Sequence, residues 1–311
     1  MSNPPPDHAT TKAYLQIHFC VLLWGVTAIL GKLITLPSLP LVWWRMLMVA
    51  GVLALLPKVW RSLARIPLRQ IGIYALIGAL VSLHWLTFYG AIKLSNASVA
   101  VTAMAFGPVF LAVIEPLIAG RRIARSELAL GIAVIPGVAL VVGGVDSSMH
   151  LGFAVGVLSA FLVSIFGALN KRYVHQGDPL TVTALELGAG TLCLTLLAPL
   201  MPWIFPSQAG ALFALPSNHD LILLFVLAMG CTLLPFALSL VALRQISAFS
   251  AQLAVNLEPI YAIVLAMLLL GEQRELSLTF YTGVAILLLA VIGHPLLTRS
   301  KRKPGAQEVA L

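Results

Sequence analysis

The chain has 311 residues, 60% of them apolar and only 10% charged, against roughly 25% charged in ordinary soluble domains. With a mean hydropathy of +1.00, polar cover is too scarce to coat a water-soluble globule of this size, so the bilayer is the expected solvent. The net charge of +8 would suggest nucleic acid in a soluble protein, but here it is first tested against loop positions. Cys20, Cys193 and Cys231 all lie in apolar runs without CxxC spacing or a histidine set. Neither a disulfide framework nor a zinc site is encoded, and no metal or cofactor is expected.

Ten continuously apolar stretches, most of them close to the roughly 20 residues that cross a hydrocarbon core, recur between breaks of Pro, Gly or charge. They run over Tyr14–Ile34, Leu41–Leu56, Ile71–Ile92, Ala97–Ala119 and Glu127–Val145, then Leu151–Asn170, Leu180–Met201, Asp220–Leu243, Ser247–Leu270 and Leu276–Leu297. Continuous rather than alternating apolarity predicts helices, each satisfying its own backbone, and so an all-α polytopic membrane protein. The first run follows a lead holding one lysine and no small-residue cleavage site, which predicts a retained span rather than a removed signal peptide. Placing both termini in the cytoplasm puts Lys12, Lys58, Arg61, Arg65, Arg69, Arg121, Arg122, Arg125, Lys171, Arg172, Arg244, Arg299, Lys301, Arg302 and Lys303 inside, which is 15 of the 19 basic residues. Lys32, Lys93 and Arg274 remain outside and Arg45 within a span. The basic charge is then an orientation signal, and no nucleic-acid partner is expected.

The chain also repeats itself. Leu23-Trp24-Gly25 through Lys32 aligns with Leu162-Val163-Ser164 through Lys171, and Pro40-Leu41 with Pro179-Leu180 at the same 139-residue offset. Ala91-Ile92-Lys93 answers Ala242-Leu243-Arg244, and Pro108 through Gly120 answers Pro259 through Gly271. The expected organisation is a tail over 1–13, one five-span repeat over 14–145, a second over 146–298 and a basic tail over 299–311. An odd number of spans per copy inverts one copy relative to the other, which predicts a solute site near the bilayer midplane between them. Inversion also accounts for Gly120-Arg121-Arg122 in one copy against Gly271-Glu272-Gln273 in the other, since basic turns belong inside.

Leu23-Trp24-Gly25, Arg45, Ala91-Ile92-Lys93 and the Pro259 to Gly271-Glu272 stretch together resemble the drug/metabolite transporter superfamily, EamA-type, over nearly the whole chain. Within it the sequence looks most like the YddG-type bacterial exporters of aromatic amino acids. Arg121 departs from the pattern, standing where the first copy would carry a glutamate. The resemblance implies a ten-helix basket with a cavity lined by spans one, three, four, six, eight and nine, in the inner membrane of a bacterium.

Polar and aromatic groups at membrane depth are the candidate site. Glu258, midway along span nine and followed by Pro259, is either an ammonium partner or proton-coupling carboxylate, or a structural group bonded across a helix contact. Glu115 and Glu186 are expected to be interfacial or paired. Arg45 is expected near the outer end of span two, either snorkelling or in a salt bridge, or attracting a solute carboxylate. His84, Trp85, Phe88 and Tyr89 form two i,i+4 pairs on span three, able to stack on an aromatic solute or to sit in an interface belt. Trp24 and Thr27, Thr102 and Phe106, Ser159 and Ser164, Thr232 and Phe236, and Gln252 and Asn256 complete the set, although hydroxyls also serve as helix glue. Asn170 and Ser239 are further polar groups on spans six and eight. With no Lys or Arg expected at the midplane, an apolar and aromatic wall argues against nucleotide sugars and for solutes with bulky apolar side chains.

No HExxH, GxSxG, P-loop or paired-carboxylate spacing supports an enzyme. The expectation is a secondary transporter exporting aromatic and other hydrophobic amino acids by alternating access, with the lipid bilayer as surroundings and protons as a candidate coupling ion. The alternatives are a drug/metabolite-type exporter of another small solute and a channel-like facilitator.

Overall fold

The computed structural model describes residues 8–120, 123, 129, 133–255 and 257–299, together with the side chains of all but a few of these, Gln252 being one of the exceptions; every regular element among them is helical. The first half holds α1 (His8–Leu33), α2 (Ser38–Ala54), α3 (Pro57–Leu63), α4 (Leu68–Leu94), α5 (Ala97–Met104), α6 (Gly107–Ala119) and α7 (Ile135–Gly143). The second holds α8 (His150–Tyr173), α9 (Pro179–Leu197), α10 (Asn218–Phe225), a π-helical stretch Val226–Leu233, α11 (Leu234–Leu243), α12 (Ala248–Val255), α13 (Glu258–Leu269) and α14 (Leu278–Arg299). Among the described residues six stretches are long and apolar enough to cross a bilayer: Ala9–Leu33, Leu68–Leu94, Ala97–Ala119, Ser147–Tyr173, Pro179–Leu197 and Asn218–Leu243. Helix α2 makes a seventh together with α3, which turns 89° away and carries exposed Lys58, Trp60 and Arg61 in the manner of a helix lying along a membrane surface. Glu258–Leu269 and Leu278–Ala290 are shorter apolar helices. The first part of span five lies outside the described residues.

Spans four and nine are each broken at matching places. Helix α5 gives way to α6 across Ala105-Phe106, just before Gly107-Pro108, and α12 gives way to α13 just before Glu258-Pro259, 151 residues on. Proline lacks an N–H and its ring clashes with the preceding turn, but it is well placed at the start of a new helix. Two further features keep that offset. Asn96 Oδ1 accepts from Val99 N and Ser247 Oγ from Ser250 N, both at 2.9 Å, capping α5 and α12. Gly120 (φ 71°) and Gly271 (φ 72°) close α6 and α13 in the left-handed conformation that only glycine adopts without strain.

Interloop bonds define two ends. At one, called the far end, Ser277 Oγ donates to Gly144 O, and Thr35 N and Oγ1 donate to Asp220 at 2.8 and 2.6 Å. At the end where α1 begins, Arg172 bonds Ile118 O, Lys171 Nζ donates to Leu243 O at 2.7 Å, and Arg244 donates to Val174 O and Gly177 O. Helix α1 therefore runs toward the far end and α8, its counterpart, away from it. The two copies are inverted. Helix α4 is packed between α8 and α9, α1 lies against α11 and α13, and α5 against α8 and α13, so the halves share one core. Close approach of α4 and α9 requires glycine: a Cβ on Gly78 would run into the Glu186 backbone, and one on Gly190 into Gly78 O and Ser82.

Candidate functional site

Between the halves lies a cavity enclosing about 980 Å³ of space, mouth included. Trp24, Thr27, Arg45, His84, Trp85, Phe88, Phe166, Asn170, Phe236 and Glu258 are on its wall. Toward the end where α1 begins the lining continues through Ile17, Leu111, Leu243 and Ala251, whereas at the other side it stops near Thr27, Phe88 and Met104. The far-end loops do not reach it.

Arg45 is the group that sequence reasoning misplaced. Helix α2 begins at Ser38, three residues before the apolar run, so Arg45 falls near the middle of the helix and not at its outer end. Only 2% of it is exposed, which removes the snorkelling account. Nε donates to Thr232 Oγ1 at 2.5 Å, Nη1 donates to Tyr89 OH at 2.8 Å, and the guanidinium lies 3.8 Å from the Trp85 ring centroid. Among the described residues no acidic side chain makes an ion pair with it. The expectation of a cavity without a cationic side chain is thereby corrected, and with it the charge-based argument against anionic solutes. Thr232 reaches Arg45 from the π-helical stretch, where its hydroxyl donates to Leu227 O, five residues back, at 2.7 Å. Pro235, one turn on, withholds the amide that would regularise this stretch, and π-helical turns recur at functional sites for this kind of redirection.

Glu258 opens α13 at the break and is buried on the cavity wall. His84 is held from behind. Its Nδ1 lies 3.0 Å from Ser159 O and 2.7 Å from Ser159 Oγ, while that hydroxyl donates to His84 O at 2.9 Å. Both groups facing Nδ1 are thus acceptors, which assigns the ring proton of neutral His84 to Nδ1 and leaves Nε2 as an acceptor.

Of the expected site residues, Trp24, Thr27, His84, Trp85, Phe88, Phe236 and Glu258 lie on one cavity wall. Tyr89, Thr232 and Ser159 stand behind it, holding Arg45 and His84. Thr102 bonds Ser98 O and Ser164 bonds Gly107 O and Ala160 O, so their hydroxyls are spent on backbone carbonyls. Phe106 packs on Phe110 and Phe153, away from the lining. The Gln252 side chain and all of Asn256 lie outside the described residues. Arg45, Phe166, Asn170 and Ser239 also line the cavity; Asn170 and Ser239 are among the polar groups the sequence places at span centres and Arg45 is its charge within a span, whereas Phe166 carries no signal that sets it apart from other apolar span residues. Glu186 is fully buried behind Asn170, whose Nδ2 donates to it at 3.4 Å, and Glu115 lies within the field of Lys171.

Fold and site define a polytopic helical membrane protein in which two inverted halves share a solute-sized cavity. The family model for EamA-like transporters matches residues 11–143 and again 150–294. The chain belongs to that family, and so to the drug/metabolite transporter superfamily, whose members are transporters of small solutes. A solved crystal structure aligns over 94% of this chain and 99% of its own, with a TM-score of 0.64 at 16% identity, a likeness of fold alone. No curated protein matches the chain.

Proposed function

We propose that the chain is a secondary transporter that exports aromatic and other hydrophobic amino acids across a bacterial inner membrane by alternating access. The observation that carries this reading is the composition of the cavity wall: the rings of Trp24, Trp85, Phe88, Phe166 and Phe236 with one cation, Arg45, and one carboxylate, Glu258. Such a wall suits a solute with a broad apolar side chain and a zwitterionic head. Closure at the far end favours a carrier over an open channel, because the lining does not run through the molecule. The end carrying Lys58, Arg61, Arg65, Arg69, Lys171, Arg172 and Arg244 is the cytoplasmic one by the positive-inside rule, which makes this the inward-facing state. Residues 14–145 and 146–298 are then the two rocking units.

Uptake of labelled Trp, Phe, Thr and a nucleoside into proteoliposomes tests the proposal. Saturable, counter-flow-capable flux of Trp and Phe is expected, with Thr slower and the nucleoside excluded; conductance without saturation, or equal flux of the nucleoside, overturns it. Running the assay with and without a pH gradient tests protons as the coupling ion. Glu258→Gln is expected to abolish flux in a protein that still purifies as a folded monodisperse species, and wild-type flux in that variant removes the carboxylate from the mechanism.

A further inference from the structure

Arg45 is an unusual charge for its surroundings. A guanidinium taken out of water costs several kcal/mol unless it is paired, so a purely structural arginine at this depth is expected to meet a carboxylate. Here its protein partners are two neutral hydroxyls and the face of an indole. The hydroxyls engage Nε and Nη1 and so fix the plane of the group, while the Nη2 donors make no hydrogen bond among the described residues. Arg45 also lines the cavity. The Trp85 ring beneath it restricts rotation, and Tyr89 and Thr232 come from two other elements, α4 and the π-helical stretch. Three elements thus hold one cation still with part of its fork unused. A planar, fixed guanidinium with free N–H donors is what recognises a carboxylate.

The same cavity supplies complementary acceptors. Glu258 is buried on its wall without an ion-pair partner among the described residues, and His84 has the Nε2 lone pair left by its bond to Ser159. Arg45 and Glu258 lie within each other's field yet do not neutralise one another by direct contact.

We propose that Arg45 is the carboxylate anchor of this cavity, so that a transported solute must carry a free carboxylate, with Glu258 and His84 receiving its ammonium. The inference rests on the carrier reading above and narrows its substrate class: aromatic carboxylates and α-amino acids are accepted, and aromatic amines lacking a carboxylate are not. Arg45 discriminates among solutes through its Nη2 donors, while Tyr89 and Thr232 are positioning residues that never touch the solute.

The test uses the full chain in nanodiscs, with quenching of tryptophan emission for solutes that do not themselves fluoresce and radiolabelled Trp displacement for the indoles. Wild-type protein is expected to bind Phe, and Trp should be displaced by indole-3-propionate but about 10- to 100-fold more weakly by tryptamine, the scale set by loss of a charge-assisted hydrogen-bonded contact. Arg45→Gln should weaken Trp and indole-3-propionate by a similar factor and leave tryptamine unchanged. Thr232→Val and Tyr89→Phe should each weaken Trp less, without changing the ranking of solutes. Tryptamine displacing Trp as well as indole-3-propionate does, or Arg45→Gln binding Trp like wild type, overturns the anchor. Should Arg45→Gln not fold, the wild-type ranking of the two indole analogues decides by itself. Failure of the anchor with saturable Trp flux intact leaves the carrier reading standing; absence of any Trp binding or flux in folded wild-type protein removes both.

Discussion

The two ends of the bundle are held together by different chemistry. At the far end, the Glu272 carboxylate, only 1% exposed, accepts from Ala97 N and Ser98 N at 2.9 Å and from Ser98 Oγ at 2.7 Å, which caps α5 of the first half with a residue of the second. Asp220 of the second half accepts from N and Oγ1 of Thr35, in the loop after α1 of the first, and Glu275 accepts from Asn96 Nδ2 at 3.0 Å. At the opposite end the cross-links are long basic side chains reaching for carbonyls, and the ion pair of Lys58 with Asp178, 2.9 Å apart, is largely open to solvent. A carboxylate on helix amides in a dry setting is worth much more than an exposed pair. The sealed end is therefore the strongly tied one, and the tie joins the two halves directly. The position that corresponds to Glu272 in the other copy, 121, is arginine, and a cation cannot accept from amides.

Removing the tie should have the largest consequence. Glu272→Ala strands two backbone amides and a hydroxyl, a cost of about 3–9 kcal/mol at roughly 1–3 kcal/mol per buried unsatisfied group. A cysteine placed at Met104, otherwise screened by this end, should then react about tenfold or more faster with a membrane-impermeant thiol reagent added from the far side; unchanged reactivity would show that the clasp does not keep that end shut. Glu272→Gln, which retains one acceptor, should fall between. Asp220→Ala is expected to act in the same direction but less, losing about 1–2 kcal/mol, since Thr35 lies nearer solvent than Ser98 and can recruit water. At the other end Lys58→Ala should cost under about 1 kcal/mol and leave flux unchanged. Its signature is in pH. Burial pushes the Asp178 carboxyl up, but Lys58 and the Thr181 amide together outweigh this and hold it below the usual carboxylate range. A depressed value means the pair stabilises the fold above the ordinary carboxylate range and ceases to do so as pH falls through the lowered one. Lys58→Ala should flatten that stretch of the melting-temperature profile, and an unaltered profile would assign the shift to Thr181.

The sequence made the frame of this molecule readable and hid part of its site, for identifiable reasons. Helical membrane spans declare themselves because the bilayer demands long apolar runs, and the 151-residue offset linking Pro108 with Pro259 and Gly120 with Gly271 reappears in space as matching breaks and matching left-handed caps. The aromatic strip of span three was also visible, and His84, Trp85 and Phe88 do face the cavity. Tyr89 turns instead toward Arg45, because one residue of helix is a rotation of about 100°. Thr102 and Ser164 illustrate the limit: in an apolar helix a hydroxyl always has the carbonyl four residues back as a partner, so composition cannot separate glue from site. Arg45 was misread through a boundary error of three residues, enough to move a charge from the membrane surface to the middle of the bundle.

The π-helical stretch has a consequence for which sequence changes the protein can tolerate. Each wide turn holds one residue more than the α-turn it replaces, so deleting a single residue within Val226–Leu233 would let the span rewind as ordinary helix while shortening it by only about 1.5 Å. Its fit to the membrane would survive, yet the Thr232 hydroxyl would lose its bond to Leu227 O and swing off Arg45. A one-residue deletion here is thus a change in aim with almost no change in length, and should be far more damaging than the same deletion in the loop over residues 210–217.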